Sequence, residues 1–229
     1  MMVMSMADDF VPEITSPLRQ KMVLVPEIIH QKASGIKVYG KLIKSLVFTT
    51  DVALIKNTNA HAVLAVYPFT PQPVITHALI MAADIPVFCG VGGGLTQGKR
   101  VINLALDAEF SGAMGVVVNA PTANDIIKKM RATIDIPIVV TIVSEKEDIK
   151  GRIEAGATIL NVSGAQKTPD IVKKIKDIDP DIPIIATGGP TEETILKTIE
   201  AGANAITYTP PTNAEIFSEI MEKYRKERE

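Results

Sequence analysis

The chain has 229 residues, which suits one large domain or two small ones. A hydrophobic fraction of 46% supports a sizeable core, and a formal net charge of −2 disfavours nucleic acid or an anionic membrane as a partner. The single cysteine, Cys89, excludes an internal disulfide framework and cannot by itself build a zinc site. We therefore predict no bound metal and a reducing compartment.

The N-terminal stretch is rich in methionine but carries Asp8 and Asp9 early. It lacks a basic region followed by a long apolar stretch, so the sequence predicts no signal peptide. No apolar run approaches the roughly 18 residues that a membrane helix needs. We expect a cytoplasmic protein without a membrane partner.

Residues 1–43 form an N-terminal extension, and residues 44–229 are predicted to form one barrel domain. Within the extension, "GIKVYGKLIKS" (35–45) alternates loosely around a Gly-Lys centre. This pattern predicts a hairpin that runs into the first strand and closes the bottom of the barrel.

Two sequence patterns alternate along the rest of the chain. Asp-Ile-Pro opens an apolar run three times, starting at residues 84, 135 and 181. Between these runs, a predicted helix ends on glycine and a β-branched run follows, as in "EAGATILNVSG" and "EAGANAITYTP". Each Asp-Ile-Pro interval therefore holds two strand–helix units, and two further units precede the first of them.

The patterns predict eight strands and eight helices. The strands are 44–50, 61–67, 86–90, 114–119, 136–142, 157–163, 182–187 and 204–209. The helices are about 51–58, 73–83, 98–111, 122–133, 145–155, 169–178, 191–201 and 212–226. The strands are nearly continuous Val, Ile, Leu and Ala, which is typical of parallel strands buried on both faces.

Capping residues support several of these helix ends. Thr122 and Thr212 each precede an acidic residue at capping-box spacing, and Thr168 is followed by proline at the first helical position. Glycines at the helix ends supply left-handed residues there. These are Gly112, Gly156 and Gly202.

Eight alternating units predict an α/β fold, a closed (β/α)8 TIM barrel. A flat doubly wound sheet is the alternative. It would usually have fewer units and a glycine fingerprint after the first strand, where the chain has only "TTDVALIKN".

Chemistry in such a barrel lies at the C-terminal ends of the strands. The most glycine-rich of these positions is "CGVGGGLTQGKR" (89–100), one residue short of a P-loop. Arg100 stands where a P-loop has the magnesium-binding hydroxyl, and the next strand ends in Asn119 instead of an acid. A cradle of backbone N–H groups for an anion is the better interpretation.

The chain here resembles the phosphate-binding TIM-barrel superfamily of histidine biosynthesis and sugar-phosphate metabolism. In the histidine-pathway barrels a triple glycine follows strand 3 and a glycine pair follows strand 7, matching Gly92–Gly94 and Gly188–Gly189. The resemblance implies phosphate binding at both places. The turn after strand 8 departs from that group, because Pro210 and Pro211 have no N–H to donate.

The histidine-pathway enzymes also use an Asp pair on strands 1 and 5. Asp51 matches the first, whereas strand 5 offers Thr141 and then Glu145. We predict Asp51 and Glu145 as general acid and base; a helix N-cap and a residue favoured by the helix dipole are the alternatives. The predicted ligand-binding residues are Gly92, Gly93, Gly94, Asn119, Asn161, Ser163, Lys167, Gly188, Gly189, Tyr208 and Thr209.

These residues predict a metabolic enzyme that binds a small phosphorylated or carboxylated metabolite at the barrel mouth. Its chemistry would be that of an isomerase, a lyase or a hydrolase, without a cofactor. The alternatives are an FMN-dependent barrel oxidoreductase and a non-catalytic metabolite-binding sensor. The only partners expected are the small molecule and, as an open question, further copies of the chain.

Overall fold

A computed structural model describes residues 12–228. Most of the stretch in which the sequence predicts no signal peptide, residues 1–11, lies outside the described residues. The strands are β1 Ile36–Val38, β2 Lys41–Ile43, β3 Ser45–Phe48, β4 Ala62–Ala65, β5 Val87–Gly92, β6 Gly115–Val118, β7 Ile138–Ile142, β8 Ile159–Val162, β9 Ile184–Thr187 and β10 Ala205–Tyr208.

The helices are α1 Glu27–Lys32, α2 Val52–Lys56, α3 Pro73–Ala82, α4 Lys99–Phe110, α5 Asn124–Arg131, α6 Ile149–Glu154, α7 Thr168–Ile178, α8 Glu192–Glu200 and α9 Asn213–Lys226. Helix α1 precedes the strands and was not predicted, whereas the helices between and after the barrel strands follow the predicted alternation. Among the helices of residues 12–228, none combines the length and apolar character needed to cross a bilayer.

Strands β3 to β10 form a closed parallel barrel in the order β10-β3-β4-β5-β6-β7-β8-β9. Every neighbouring pair is parallel, and β10 closes the ring on β3. The predicted α/β TIM barrel is confirmed, and all eight predicted barrel strands are present.

The three Asp-Ile-Pro motifs lie at the bottom of the barrel, directly before β5, β7 and β9. Proline has no N–H, so it suits the position just before a strand, where no ladder donor is needed. Its carbonyl is used instead. Pro86, Pro137 and Pro183 accept hydrogen bonds from Val63, Val116 and Leu160 on the neighbouring strands at 2.8, 2.9 and 3.0 Å.

The predicted hairpin is confirmed: β1 pairs antiparallel with β2, with Ile36 opposite Ile43. The buried side chains of Ile36, Val38 and Ile43 pack in one cluster with the inward-facing residues of the barrel, which include Leu46 and Phe88. The hairpin therefore fills the lower barrel interior with apolar side chains.

Polar groups at the bottom are paired. The rings of His30 and His61 stack with centroids 4.5 Å apart. His61 Nδ1 accepts the backbone N–H of Lys44 at 3.1 Å, and His30 Nε2 lies 2.9 Å from Ser45 Oγ. Burial of the ring is the main cause that lowers the pKa of His61, and the nearby charges of His30 and Lys44 lower it further. Both rings are structural parts of the barrel base.

The capping predictions are partly confirmed. Gly112, Gly156 and Gly202 have φ of +92°, +114° and +114°, as expected at helix ends. Thr212 forms the predicted capping box with Glu215. The Thr122 prediction is wrong, because α5 begins one residue later with Ala123 at its N-cap.

The Thr168 cap is also displaced. Helix α7 begins at Thr168 itself, with Lys167 at the N-cap, because the Thr168 hydroxyl accepts the Gly164 N–H at 3.0 Å instead of capping the helix.

The outer layer differs from the predicted arrangement at its last helix. Helix α9 forms as predicted, but none of its residues is buried. The short helix α1 packs instead against α8, where its Ile29 is fully buried. The N-terminal extension thus occupies part of the outer layer that the eighth barrel helix was expected to cover.

Candidate functional site

The inward-facing side chains change from apolar to polar near the C-terminal ends of three strands, β7, β8 and β10. Strands β7 and β8 are neighbours, and β9 lies between β8 and β10. In the barrel interior cluster these strands contribute Val139, Ile159 and Ala205. Because side chains alternate along a strand, the next inward positions lie two residues further on. These positions hold Thr141, Asn161 and Thr207, all buried. We call these three residues the polar layer.

Two acceptors of the polar layer have no partner among residues 12–228. Asn161 Nδ2 donates to Thr141 Oγ1 at 3.3 Å. Asn161 Oδ1 and Thr207 Oγ1 are buried without a hydrogen bond. A buried polar atom left unpaired costs about 1–3 kcal/mol. These atoms lie at the C-terminal end of the barrel strands, where barrels of this kind bind ligands, and a polar ligand could pair with them.

The glycine loop after β5 packs closely against the next loop. The Gly93 N–H donates to the Thr96 carbonyl at 2.9 Å, and the Gly92 carbonyl accepts the Asn119 N–H at 3.0 Å. Gly93 has φ of +103°, and a Cβ there would lie 2.1 Å from Thr122 Oγ1. Gly93 is therefore required for the close approach of the two loops, and its N–H is already used.

Gly94 is in a different situation from Gly93. A Cβ on Gly94 would meet nothing within 4 Å. Within the described part of the chain, its N–H donates to no acceptor. It lines a hollow of about 100 Å³ with Asn119 and Tyr67, whose Oη accepts the Gln72 N–H at 3.0 Å.

The Gly188–Gly189 pair lies across the barrel from the first glycine loop, because β5 and β9 are four strands apart in the closed order. The pair lines two hollows. One, of about 610 Å³, reaches toward α7 and includes Gln166. The other, of about 510 Å³, lies between α8 and β10 and includes Tyr208 and Thr209.

Asp51 caps helix α2. Its Oδ1 accepts the N–H groups of Ala53 and Leu54 at 2.8 and 3.3 Å, and its Oδ2 accepts from Asn213 Nδ2. Both carboxylate oxygens are thus engaged, and the structure places Asp51 in the N-cap position that was the alternative to catalysis.

Glu145 and Lys167 lie on neighbouring loops, after β7 and β8. Their side chains approach to 3.7 Å and are 45% and 71% exposed. Ser163, also exposed, follows β8 directly, and its N–H donates to the Ile142 carbonyl at 2.9 Å. These three predicted residues come together at the rim of the mouth.

A half-buried ion pair behind the rim, Glu147 with Arg152, was not predicted. Glu147 Oε1 accepts the N–H groups of Val143 and Ser144 at 2.8 and 3.2 Å, and Arg152 lies 3.7 Å from Glu147 Oε2. Arg152 also donates to the loop after β6, at the oxygens of Ala120, Thr122 and Asn124. The pair fixes two mouth loops together. In the sequence both residues look like ordinary charges of a surface helix.

Cys89 is not placed for chemistry. It is 1% exposed and packs in the layer between strands and helices, and burial raises its thiol pKa to about 12. Across residues 12–228, no group of three or more His, Cys, Asp or Glu could hold a metal ion.

No protein-family signature and no curated protein matches the chain. Solved structures do. A phosphonopyruvate hydrolase in complex with oxalate and Mg²⁺ has a TM-score of 0.61 at 13% identity, covering 84% of each chain. The phosphoenolpyruvate phosphomutase of Streptomyces platensis subsp. rosaceus scores 0.59 at 12% identity, covering 79% of this chain and 80% of its own.

A third similar structure is the 4-hydroxy-tetrahydrodipicolinate synthase of Methylacidiphilum fumariolicum SolV. It has a TM-score of 0.57 at 14% identity, with 72% of this chain and 67% of that chain covered. At such low identity these similarities establish the barrel fold and no activity.

Proposed function

We propose that the barrel mouth binds a small phosphorylated or carboxylated metabolite, and that the protein is a metabolic enzyme of the isomerase, lyase or hydrolase type. The observation that carries the proposal is the polar layer, with Asn161 Oδ1 and Thr207 Oγ1 buried and unpaired among the described residues. A ligand that presents a hydroxyl or amine to these acceptors would recover the hydrogen bonds they lack.

Backbone amides at the mouth support an anionic ligand. The N–H groups of Gly94, Gly188 and Gly189 have no acceptor within residues 12–228. Amides of this kind favour phosphate or carboxylate oxygens. Because the two glycine loops face each other across the ring, they would hold opposite ends of one elongated ligand.

The names of the similar structures are compatible with this ligand class. Phosphonopyruvate, phosphoenolpyruvate and oxalate all appear among them, and each carries carboxylate or phosphorus-based anionic groups. The names describe those proteins, and for this chain they support the proposal only through the shared fold.

Of the two predicted acid/base groups, we propose Glu145 as the one that moves a proton. Its carboxylate has an ion pair with Lys167 but no hydrogen bond among the described residues, whereas both oxygens of Asp51 are occupied. Glu145→Gln would lower turnover at least a hundredfold, as expected for loss of a general base. Asp51→Asn would chiefly lower stability. The reverse pattern would assign catalysis to Asp51.

The ligand site can be tested by thermal shift with inorganic phosphate and a panel of phosphorylated and carboxylated metabolites. The matched pair is Gly94→Ala, which keeps the N–H, and Gly94→Pro, which removes it. At a ligand concentration one hundred times Kd, stabilisation of about 2.7 kcal/mol corresponds to about 5–10 °C for a domain of this size.

We expect this shift in the wild type and in Gly94→Ala, and its loss in Gly94→Pro. Ligand-free melting temperatures of the variants would show whether either substitution damages the fold. A ligand whose shift is equal in all three proteins would not use this loop, and no shift across the panel would contradict the proposal.

A non-catalytic sensor is the second candidate. It is favoured by the composition of the polar layer, where Thr141, Asn161 and Thr207 include no group that titrates near neutral pH. A metabolite that stabilises the protein would distinguish the enzyme from the sensor. If the metabolite is unchanged after long incubation, the sensor is favoured. If it is turned over and Glu145→Gln abolishes the turnover, the enzyme is favoured.

A further inference from the structure

The inward-facing side chains of the barrel form successive levels, each holding four side chains from alternate strands. Asn161 pairs with Ile185 in register, and Ile185 pairs with Ala205. Because the strands of such a barrel are staggered by about one residue each, the β10 residue level with Asn161 lies two positions beyond Ala205. That residue is Thr207. The two side chains with unpaired atoms are therefore neighbours at one level of the interior.

The rest of this level is apolar. The same stagger places Leu64 of β4 and Val117 of β6 there, and both are buried in the interior cluster. The level below consists of apolar side chains: Leu46, Phe88, Val139 and Ile185. Toward the mouth, the next inward position on β9 is Thr187, which is also uncharged. A ligand group that reaches Asn161 and Thr207 thus meets no charged side chain among the described residues of these levels.

The free hydrogen-bonding atoms of the polar layer are one acceptor and two donors. Within residues 12–228, Asn161 Oδ1 accepts no hydrogen bond and Thr207 Oγ1 takes part in none. Thr141 Oγ1 accepts from Asn161, but its own hydrogen reaches no acceptor in the same part of the chain. The polar layer therefore offers a ligand the Asn161 oxygen as an acceptor and the two threonine hydroxyls as donors.

A hydroxyl group on the ligand matches this set of atoms. It carries one hydrogen to donate and two lone pairs that accept. An ammonium group could only donate, and it would bring an unpaired charge into an uncharged interior. A carboxylate, phosphate or keto oxygen could only accept, which would leave Asn161 Oδ1 unpaired.

The polar layer and the second glycine pair share a hollow. Thr207 lines the hollow of about 510 Å³ together with Thr187, Gly188 and Gly189. The N–H groups of the two glycines, which have no acceptor within residues 12–228, are proposed contacts of an anion. The one charged lining residue, Glu192, is exposed at the start of α8, where water screens its charge. A ligand in this hollow would reach a hydroxyl site and an anion site at once.

We infer, on the basis of the proposed function, that the ligand is a hydroxylated anion, a hydroxy acid or a hydroxyalkyl phosphate, whose hydroxyl group enters the polar layer. Among anions of equal size, the hydroxyl compound binds more tightly than the amino, keto or unsubstituted compound. A site that hydrogen-bonds a hydroxyl group discriminates strongly against analogues that lack it, because they leave buried polar atoms unpaired.

Matched probes test the inference by isothermal titration calorimetry on the full chain. Hydroxyethyl, ethyl and aminoethyl phosphate differ only in one terminal group, and longer chains of each type extend the comparison. The corresponding carboxylates form a second series, and inorganic phosphate reports on the anion site alone. At the chain length that binds best, the hydroxyl compound is expected to bind at least about tenfold more tightly than the other two.

The outcomes separate the inference from the proposed function. Equal affinities within both series, or tightest binding of the amino compound, would overturn the inference and leave the anion site standing. Binding of inorganic phosphate alone would have the same meaning. If neither series nor inorganic phosphate binds, the anion site itself is absent, and the proposed function fails together with the inference.

Two variants locate the hydroxyl group of the ligand. Thr207→Val breaks no hydrogen bond within residues 12–228, and it is expected to reduce the preference for the hydroxyl compound over the ethyl compound at least about threefold. Thr76→Val is the matched control, because Thr76 is a buried threonine of α3, and it should keep the wild-type preference. Asn161→Asp is expected to shift the preference toward the amino compound, since it supplies a negative charge. A preference unchanged in both polar-layer variants would overturn the inference.

Discussion

The two ends of the barrel treat buried polar groups in opposite ways. At the bottom, the hairpin fills the interior with Ile36, Val38 and Ile43, and His61 and Ser45 are hydrogen-bonded. At the top, only two residues beyond the last apolar layer, the buried acceptors of the polar layer remain unpaired within residues 12–228. The bottom is built for stability, and the top retains unpaired groups of the kind that ligand sites use.

The largest expected effect concerns the hairpin plug. Ile43→Ala should lower the free energy of unfolding by about 2–5 kcal/mol, because Ile43 is fully buried and its loss leaves a cavity. Urea denaturation would measure the change. Leu42→Ala is the control: Leu42 directly precedes Ile43 in β2 and is 51% exposed, so the substitution should change stability by no more than about 0.5 kcal/mol. Equal effects would mean that the hairpin does not stabilise the barrel.

Two hydroxyl deletions test the contrast between the ends directly. Ser45→Ala removes a bottom hydroxyl that accepts the His61 N–H at 3.1 Å and lies beside His30, so it should cost about 1–3 kcal/mol. Thr207→Val removes an unpaired top hydroxyl at nearly constant volume, so stability should rise or stay within about 1 kcal/mol. Chemical denaturation would measure both. A larger loss in Thr207→Val would show that the top hydroxyl is satisfied in solution.

The smallest expected effect is a pH dependence of the bottom. Burial places the folded-state pKa of His61 below its unfolded value of about 6.5. The unfolded chain therefore takes up this proton first, so the contribution of His61 is complete above pH 6.5 and is lost as the pH falls below it.

His61→Asn should flatten this dependence, since an Asn oxygen can also accept the Lys44 N–H. Urea midpoints at pH 7.5 and pH 5.5 would provide the measurement. The wild type should lose more stability than the variant on acidification; identical losses would assign the effect to other groups.

The barrel could be predicted because the sequence patterns that specify its strands and helices are local and repeated. The Asp-Ile-Pro motif marks three strand starts, glycines such as Gly156 mark helix ends, and continuous apolar runs mark strands buried on both faces. The placement of α9 could not be predicted in the same way. Its pattern specifies an amphipathic helix but not the surface that the helix contacts.

The candidate site was only partly visible in the sequence. Asn161 was found because an amide inside an apolar strand needs a hydrogen-bonding partner. Thr207 was missed because threonine is common in strands, and a strand buried on both faces does not reveal which side chains point inward. Sequence alone does not distinguish a glycine that exposes its N–H from one that lets two loops touch. Gly93 is of the second kind, because a Cβ there would clash with Thr122.

The buried thiol of Cys89 can report on opening of the barrel wall. It is the only cysteine of the chain, and at 1% exposure it reacts with a thiol reagent only when the wall between strands and helices opens. Its labelling rate in the native state therefore measures how often the barrel opens, without any introduced probe. A ligand bound at the mouth would slow this labelling by a factor that corresponds to the stability it adds.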